Sequence, residues 1–284
     1  MSCPNVTPLS RATASALRIV NVPHTIRCVP APAFLTLPPR PAKPRSFGIT
    51  HVLDKGMPAV MAEGLLRSAG DVIDIWKFGW GTAYLDPELD LKITLLRRHG
   101  VQPCLGGTLL EVAWLQGRAK DCLLWAAEAG FGMAEISRGV APMTPADKAE
   151  LIAYAAQELV AVSEVGSKDP ACSVVAAEWR DEVARDLDAG SWKVVAEGRE
   201  SGTVGLYDPS GRVRVDVADA IASVEGAERI LFEAPKKDQQ SWLIRHFGVD
   251  VNLANVAYED VLGVEALRLG LRADTVGAYA PGKT

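Results

Sequence analysis

The chain has 284 residues, of which 48% are hydrophobic and 23% are charged, and its formal net charge is −5 at pH 7. This composition is typical of a soluble globular protein and excludes wholesale disorder, a collagen-like repeat and a small disulfide-stapled domain. The apolar runs, such as residues 123–127, are far shorter than the roughly 18 residues that a membrane span needs, so we expect no membrane partner.

The charge is unevenly distributed along the chain. Residues 1–45 contain six basic residues and no acid, whereas residues 46–284 contain 24 basic and 35 acidic residues. An acidic body of this size argues against nucleic acid as a partner, because phosphate neutralisation needs a basic face. The five cysteines are widely spaced and form no Cys-x-x-Cys pair, which favours a reducing, cytoplasmic location.

Residues 1–45 differ in composition from the rest of the chain. Nine of the 18 prolines lie before Arg45, and no amphipathic period is present. We therefore expect a disordered or loosely docked basic arm that ends at residue 45. Its acid-free composition also resembles that of a transit peptide, although an extension without a role, or a start placed too far upstream, is the plainer interpretation.

From Ser46 onward, short apolar runs alternate with amphipathic stretches. The predicted strands are 47–53, 72–78, 101–105, 132–137, 159–165, 193–197, 229–233 and 249–252. The clearest predicted helices are 58–69, 87–99, 110–129 and 145–157. Asp86-Pro87 and Thr144-Pro145 each predict an N-cap followed by a proline in the first helical turn.

Eight strands, each followed by a crossover, predict an α/β protein with a single (β/α)₈ TIM-type barrel over residues 46–284. A doubly wound open sheet is the second choice. Its usual signal, a G-x-G-x-x-G fingerprint, fails here because Tyr84 stands at the third glycine position after Gly79 and Gly81.

Four glutamates fall inside or at the end of apolar runs: Glu135, Glu164, Glu197 and Glu233. Their separations of 29, 33 and 36 residues each correspond to about one βα unit. In a barrel, this spacing brings four carboxylates to the carboxyl ends of neighbouring strands, where the catalytic groups of this fold lie. A buried carboxylate needs a cation or hydrogen-bond donors, and Mg²⁺ prefers oxygen ligands of this kind. Ion pairs with Lys or Arg are the alternative for some of the four.

Basic residues occur at the same level of the predicted barrel. These are Lys55 after the first strand, Lys77 at the end of the second, Lys168 after the fifth and Arg199 after the sixth. Acids interleaved with basic residues suit a small anionic substrate held through a metal. For any one lysine, a structural ion pair is about as plausible as a catalytic role.

Three other signals are weak. Gly106-Gly107-Thr108, after the third strand, fits a backbone anion nest or an ordinary tight turn. The four histidines show no metal-ligand spacing, and the nucleophile motif G-x-S-x-G does not occur. None of these signals identifies a reaction.

The motifs taken together resemble those of the phosphosulfolactate synthase family. The matching segments are G-I-T-H-V-L-D-K-G at 48–56, I-D-I-W-K-F-G-W-G-T at 73–82, G-G-T-L-L-E at 106–111, E-I-S at 135–137, S-E-V-G-S-K at 163–168, E-G-R-E-S-G at 197–202, F-E-A-P-K-K-D-Q-Q at 232–240, V-N-L-A-N-V at 251–256 and L-R-L-G-L-R-A-D-T at 267–275. The resemblance covers about residues 46–276. It implies a TIM-type barrel and Mg²⁺-dependent addition of sulfite to phosphoenolpyruvate, in the route to sulfolactate and coenzyme M.

Two positions depart from the family pattern. Arg138-Gly139 stands where the family commonly has an acidic residue and glycine, and Gly166-Ser167-Lys168 keeps only the second lysine of a G-K-K segment. We therefore expect Arg138 either to recruit a more anionic substrate or to turn outward.

The resemblance and the chemistry together suggest a role for each candidate residue. Lys168 is the first choice for the acid that protonates the phosphate-bearing carbon, and Lys77 is the second. The expected Mg²⁺ ligands are Glu135, Glu164 and Glu197. We expect Glu233 either to contact these ligands without binding the metal itself or to face the substrate. The candidates for binding phosphate, carboxylate or sulfonate groups are Lys55, Arg199, Asn252 and Asn255, with Arg138 facing the nucleophile.

Three functions remain open at this point. The first is phosphosulfolactate synthase activity, a carbon–sulfur lyase reaction. The second is a related phosphoenolpyruvate-dependent enzyme that adds another nucleophile, for which Arg138 is the only support. The third is a non-catalytic, stress-associated role. The retained charged residues argue against it: Lys77, Glu135, Glu164, Lys168, Glu197 and Arg199. We also expect a homo-oligomer whose other partners are small anionic substrates.

Overall fold

The computed structural model describes residues 34–167 and 173–278. Lys168 lies outside these ranges, as does most of the arm that the sequence predicts. The barrel unit begins at Leu37. Among the described residues, no helix combines the length and the apolar character needed to cross a membrane.

Eight parallel strands form a closed barrel in sequence order, which confirms the predicted (β/α)₈ architecture. The strands β1 to β8 are Thr50–Asp54, Ile75–Phe78, Gln102–Leu105, Met133–Ile136, Val160–Val165, Lys193–Ala196, Ile230–Glu233 and Asn252–Val256. Seven lie largely within the predicted segments. The eighth strand shares only Asn252 with the predicted segment 249–252, so the prediction from sequence placed this strand too early in the chain.

Ten helices lie between or after the strands within the described ranges. The helices α1 to α10 are Ala59–Ala69, Thr82–Leu85, Leu89–Arg98, Gly107–Leu115, Ala119–Ala129, Pro145–Ala155, Ala176–Asp188, Val215–Ala222, Lys237–Phe247 and Val261–Arg268. The single helix predicted over 110–129 is in fact two, because the chain turns at Gly117 with a φ of +69°.

The two predicted N-caps have different outcomes. Thr144 caps α6 as expected: its hydroxyl accepts from the backbone N–H of Asp147, whose carboxylate binds back to Thr144. The Asp86 prediction is wrong, since α3 begins later and its N-cap is Glu88. The Asp86 carboxylate instead accepts hydrogen bonds from the Glu88 N–H and from Lys92.

The apolar core has two parts. The larger lies between the barrel and the surrounding helices. The smaller fills the barrel interior with one buried side chain from, or next to, each strand: Ile49, Ile75, Cys104, Met133, Val162, Val195, Leu231 and Ala254. This interior layer separates the two ends of the barrel, which we call the floor, at the amino ends of the strands, and the mouth, at the carboxyl ends.

The segment just after residue 36 is bound to the floor. Lys43 donates to the carbonyl oxygens of Gly70, Ile73 and His99, and Arg45 forms an ion pair of 3.0 Å with Asp74. Lys43 and Arg45, at the end of the predicted arm, therefore belong to the unit that begins at Leu37. The sequence analysis did not predict these contacts, because they are made by side chains in a proline-rich segment and not by a helix or strand.

Candidate active site

The mouth of the barrel contains a ring of buried charged side chains. Each ring residue stands two positions after a member of the interior layer, so that strand alternation points it into the barrel one level higher. The ring consists of Lys77, Glu135, Glu164, Glu197 and Glu233, each at most 5% exposed. The structure therefore brings the four spaced glutamates to one end of the barrel.

Lys77 is the cation of this ring and forms ion pairs with two of its carboxylates. Its Nζ is 2.9 Å from Glu135 Oε2 and 3.3 Å from Glu233 Oε1. Burial alone would lower the pKa of Lys77, but the negative charges of Glu135, Glu233 and Glu164 outweigh burial and raise it. Lys77 is therefore a protonated cation at neutral pH.

Backbone N–H groups also donate to the ring carboxylates. Gly107 donates to Glu135 Oε1 at 3.1 Å, and the Arg199 N–H donates to Glu197 Oε1 at 2.6 Å and to Glu233 Oε2 at 2.9 Å. In the candidate anion nest after β3, the Gly107 N–H is thus bound by the chain's own carboxylate, while the Gly106 N–H donates to the carbonyl oxygen of Phe78. A Cβ atom at Gly106 would lie 2.6 Å from the carbonyl oxygen of Phe78, so glycine is required there.

Backbone strain is concentrated at the mouth. Three described residues other than glycine have a positive φ: Trp80 at 54°, Arg199 at 54° and Asn255 at 51°. They follow β2, follow β6 and lie near the end of β8, which are all at the carboxyl ends of strands. Strained backbone of this kind clusters at active sites, where the surrounding structure holds it in place.

His51 and Asn255 complete the ring on the side of β1 and β8. The N–H of Asn255 donates to His51 Nδ1 at 3.4 Å, and its side-chain amide donates to Glu233. Burial, together with the charge of Lys77, lowers the pKa of His51 well below its usual value, so its imidazole is neutral. Among the described residues, the buried Oδ1 of Asn255 has no hydrogen-bond partner.

The sequence analysis missed His51 because it tested the histidines only for metal-ligand spacing. The available signal was alternation along β1. His51 lies two residues after Ile49, as each ring residue lies two after its own interior residue.

Asn252 does not belong to the site, which corrects its predicted substrate role. It is fully buried in the floor, where its Oδ1 accepts from the Ile49 N–H at 3.1 Å. Its Nδ2 donates to the carbonyl oxygens of Glu228 and Ile230, at 2.9 Å each. These bonds engage both ends of the amide in the fold.

The remaining predicted residues lie around the rim or outside the described ranges. Lys55 is exposed, with its Nζ 5.5 Å from the centre of the Trp80 ring. Arg138 is half-buried and forms two hydrogen bonds of 2.9 Å with Glu182 of α7. Lys168, the first choice for the catalytic acid, is not among the described residues, and its role stays a prediction.

Two further buried acids position loops at the mouth. Asp54, at the end of β1, accepts from the N–H groups of Gly56 and Met57 and lies 2.7 Å from Lys92 Nζ. Glu111 of α4 accepts from the N–H groups of residues 139, 140 and 141, which follow β4. Sequence spacing gives no signal for these roles, because the partners meet only once the barrel closes.

Carboxylate oxygens are the donors that Mg²⁺ prefers, and Glu135, Glu164 and Glu197 lie in one ring. Within the described residues, however, no group of three or more His, Cys, Asp and Glu is arranged as a metal site. Both oxygens of Glu135 accept hydrogen bonds, from Lys77 and from Gly107. Glu164 lies on β5 and Glu197 directly follows the adjacent strand β6, and the Arg199 N–H donates to Glu197 Oε1.

Comparison with known proteins agrees with this architecture. The family model for (2R)-phospho-3-sulfolactate synthase (ComA) matches residues 38–274. A phosphosulfolactate synthase from Bacillus subtilis is 41% identical over 244 residues, covering 85% of this chain and 97% of that protein. One from Methanothermobacter thermautotrophicus is 40% identical over 250 residues, covering 86% and 96%.

Solved structures with low sequence identity support the fold alone. A 3-hexulose-6-phosphate synthase from Salmonella typhimurium superposes with a TM-score of 0.51 at 12% identity, covering 78% of this chain and 99% of that one. The family match is far more specific, since it extends over nearly all of the barrel and its charged ring. The chain therefore belongs to the (2R)-phospho-3-sulfolactate synthase family.

Proposed function

We propose that this protein catalyses the addition of sulfite to phosphoenolpyruvate, forming the carbon–sulfur bond of 2-phospho-3-sulfolactate as a carbon–sulfur lyase. The observation that carries the proposal is the ring of buried carboxylates around protonated Lys77 at the mouth of a barrel of this family. Such a ring holds charge in a dry environment, where electrostatic interactions are strong.

The reaction moves charge through the substrate in two steps. The sulfur lone pair of sulfite attacks the methylene carbon of phosphoenolpyruvate, and the electrons of the double bond move into the substrate carboxylate. The phosphate-bearing carbon then takes up a proton. The site must therefore stabilise negative charge on the carboxylate and deliver one proton to the neighbouring carbon.

Lys77 suits the first of these tasks better than the second. A general acid works best when its pKa lies near the working pH, and the neighbouring carboxylates raise the pKa of Lys77 away from that range. We assign Lys77 to stabilising the developing negative charge. Lys168 is retained as the proposed proton donor.

A magnesium ion is part of the proposal. Glu164 and Glu197 would hold it, since Mg²⁺ is usually bound through one or two carboxylates together with water and substrate oxygens. When bound, magnesium supplies a Lewis acid that polarises a substrate oxygen. Glu135 and Glu233 would then hold Lys77 in place beside it.

The substrate-binding residues follow from position. Arg199 and the buried amide of Asn255 lie at the mouth, and Lys55 stands at its rim. We assign these three to the phosphate, carboxylate or sulfonate groups. Cationic side chains are needed because both reactants are anions that repel each other.

The structure weakens the case for a different nucleophile. Arg138 was its only support, and this guanidinium is paired through two hydrogen bonds with Glu182. The pair neutralises the added charge. A non-catalytic role has no specific observation in its favour.

We also propose that the enzyme is cytoplasmic and homo-oligomeric. Cys104 and Cys122 are both free thiols, which suits a reducing compartment. Exposed apolar side chains on α2, α4 and α5 suit a subunit contact: Tyr84, Leu85, Val112, Leu115 and Leu124. Light scattering of the purified protein measures the oligomeric state directly.

The function is tested by incubating the protein with phosphoenolpyruvate, sulfite and Mg²⁺ and following the products by mass spectrometry and ³¹P NMR. We expect a new phosphorus resonance and the mass of phosphosulfolactate. Replacing sulfite by thiols and carboxylates in parallel tests the alternative nucleophiles. Product from another nucleophile, with none from sulfite, would overturn the proposal.

A further inference from the structure

A cavity of about 840 Å³ lies beside the ring, between α7 and the loop that joins β6 to α8. Its lining includes Ser167, three residues after Glu164, and Arg199, two residues after Glu197. The cavity therefore adjoins the carboxyl ends of β5 and β6. Its volume is within the range of pockets that hold small ligands.

Among the described residues that line the cavity, more cationic than anionic side chains lack an ion-pair partner. Arg138 pairs with Glu182, and Asp181 pairs with Arg180. Arg185 and Arg214 also line the cavity, and neither forms an ion pair within the described ranges. Among the described lining residues, Glu178 is the one carboxylate without an ion-pair partner. Two arginines without an ion-pair partner, against this one carboxylate, favour an anionic ligand.

The wall that carries Arg214 is held in a fixed conformation. The Leu206 N–H donates to Glu197 O at 2.8 Å, and the Gln239 side chain donates to the carbonyl oxygens of Gly202 and Gly211. Arg214 Nε donates to Tyr207 O at 3.3 Å, which orients the guanidinium while leaving its terminal nitrogens available. Preorganised donors of this kind bind oxyanions at a low entropic cost.

We propose that this cavity, which we name the arginine pocket, binds a small oxyanion through Arg214 and Arg185. The oxyanion is either the phosphate group of phosphoenolpyruvate or sulfite itself. The inference rests on the proposed function for the identity of the anion, whereas the presence of the site rests on the geometry. Planar guanidinium groups recognise such oxyanions through paired hydrogen bonds.

Isothermal titration calorimetry with inorganic phosphate and with sulfite tests the pocket in the full-length protein. The variants are Arg214→Gln, Arg185→Gln and the matched control Arg212→Gln. Arg212 is on the same loop, but its side chain is 83% exposed and pairs with Asp208. We expect Arg214→Gln and Arg185→Gln each to weaken one probe by about tenfold or more, and Arg212→Gln to change neither.

The probe that is weakened identifies the source of the oxyanion. If the unmodified protein and the three variants all bind each probe with the same affinity, the proposal of an oxyanion site is overturned. It is also overturned if the unmodified protein binds neither probe. Arg185 lies exposed on α7, so its replacement does not threaten folding, and thermal unfolding checks the Arg214 variant.

Turnover measurements separate this inference from the proposed function. Loss of probe binding in Arg214→Gln, in a protein that forms no sulfonate product, would sustain the pocket and refute the function. Normal product formation with an unchanged KM in Arg214→Gln would refute the pocket and sustain the function.

Discussion

The mouth and the floor of the barrel both bury cations, but they satisfy them in different ways. On the floor, Arg268 donates to the carbonyl oxygens of Val249, Val251 and Ile49. At the mouth, Lys77 is held by the carboxylates of Glu135 and Glu233. Backbone carbonyls fix the strands in place, whereas side-chain carboxylates form a charged surface that a substrate can enter.

Two lysines show the consequence for proton binding. Burial, reinforced by the charge of Arg229, lowers the pKa of Lys193 on the floor to about 8, whereas the ring carboxylates raise the pKa of Lys77. The same residue type in one barrel is therefore shifted in opposite directions. The position of a lysine within the barrel, and not its residue type, distinguishes a lysine that stabilises the fold from a candidate catalytic lysine.

The largest expected effect concerns the metal. Because Glu164 and Glu197 are assigned to Mg²⁺, excess chelator should abolish turnover, and Mg²⁺ or Mn²⁺ should restore it. Glu164→Gln and Glu197→Gln should each weaken Mg²⁺ binding in a calorimetric titration while leaving the barrel folded. Full activity in excess chelator would refute the assignment.

Replacing the proposed proton donor should have the next largest effect. Lys168→Met should lower kcat by about 10²–10⁴-fold, the usual range for general acid–base catalysis, with a smaller change in substrate affinity. The pKa values of Lys77 and His51 are shifted away from neutrality. An inflection of the pH–activity profile that vanishes in Lys168→Met and persists in Lys193→Met would therefore belong to Lys168. A variant altered only in KM would make Lys168 a binding residue.

Deletions from the N-terminus test which residues before β1 stabilise the floor. Deleting residues 1–36 should leave the melting temperature and turnover nearly unchanged, because a proline-rich, acid-free segment contributes little to a core. Deleting residues 1–45 removes the bonds of Arg40, Lys43 and Arg45 and should lower the Tm by about 5–10 °C. Differential scanning calorimetry of both truncations measures this difference, and equal Tm values would contradict it.

The two lysines predict a smaller effect of pH on stability. The folded pKa of Lys193, about 8, lies below the usual value for lysine in an unfolded chain, so the unfolded state binds more protons between these pKa values. Stability should therefore rise with pH from about 8 to 10, and Lys193→Met should lose this rise. Lys77 should show the opposite sign, with its contribution intact below about pH 10 and lost above it. Urea unfolding at several pH values tests both signs.

The sequence predicted the barrel because apolar runs and amphipathic stretches alternate eight times, and it predicted the carboxylate ring because four glutamates recur once per βα unit. It misplaced β8, since residues 249–256 are nearly all apolar or amide side chains with no clear alternation. Asn252 and Asn255 were consequently both assigned to the mouth. Asp54 and Glu111 were missed because their partners lie on loops that meet only in the folded barrel.

Asn252 and Asn255 therefore give the most direct test of the contrast between floor and mouth. They lie three residues apart, and an alanine substitution at each can be compared by Tm and by kcat/KM per folded molecule. Asn252→Ala should cost about 2–4 kcal/mol of stability and leave kcat/KM unchanged, because it removes three hydrogen bonds from the floor. Asn255→Ala should lower kcat/KM by about tenfold or more and cost less stability than Asn252→Ala, because the Asn255 side chain donates a single hydrogen bond, to Glu233. The reverse pattern, with activity lost in Asn252→Ala and retained in Asn255→Ala, would contradict the account.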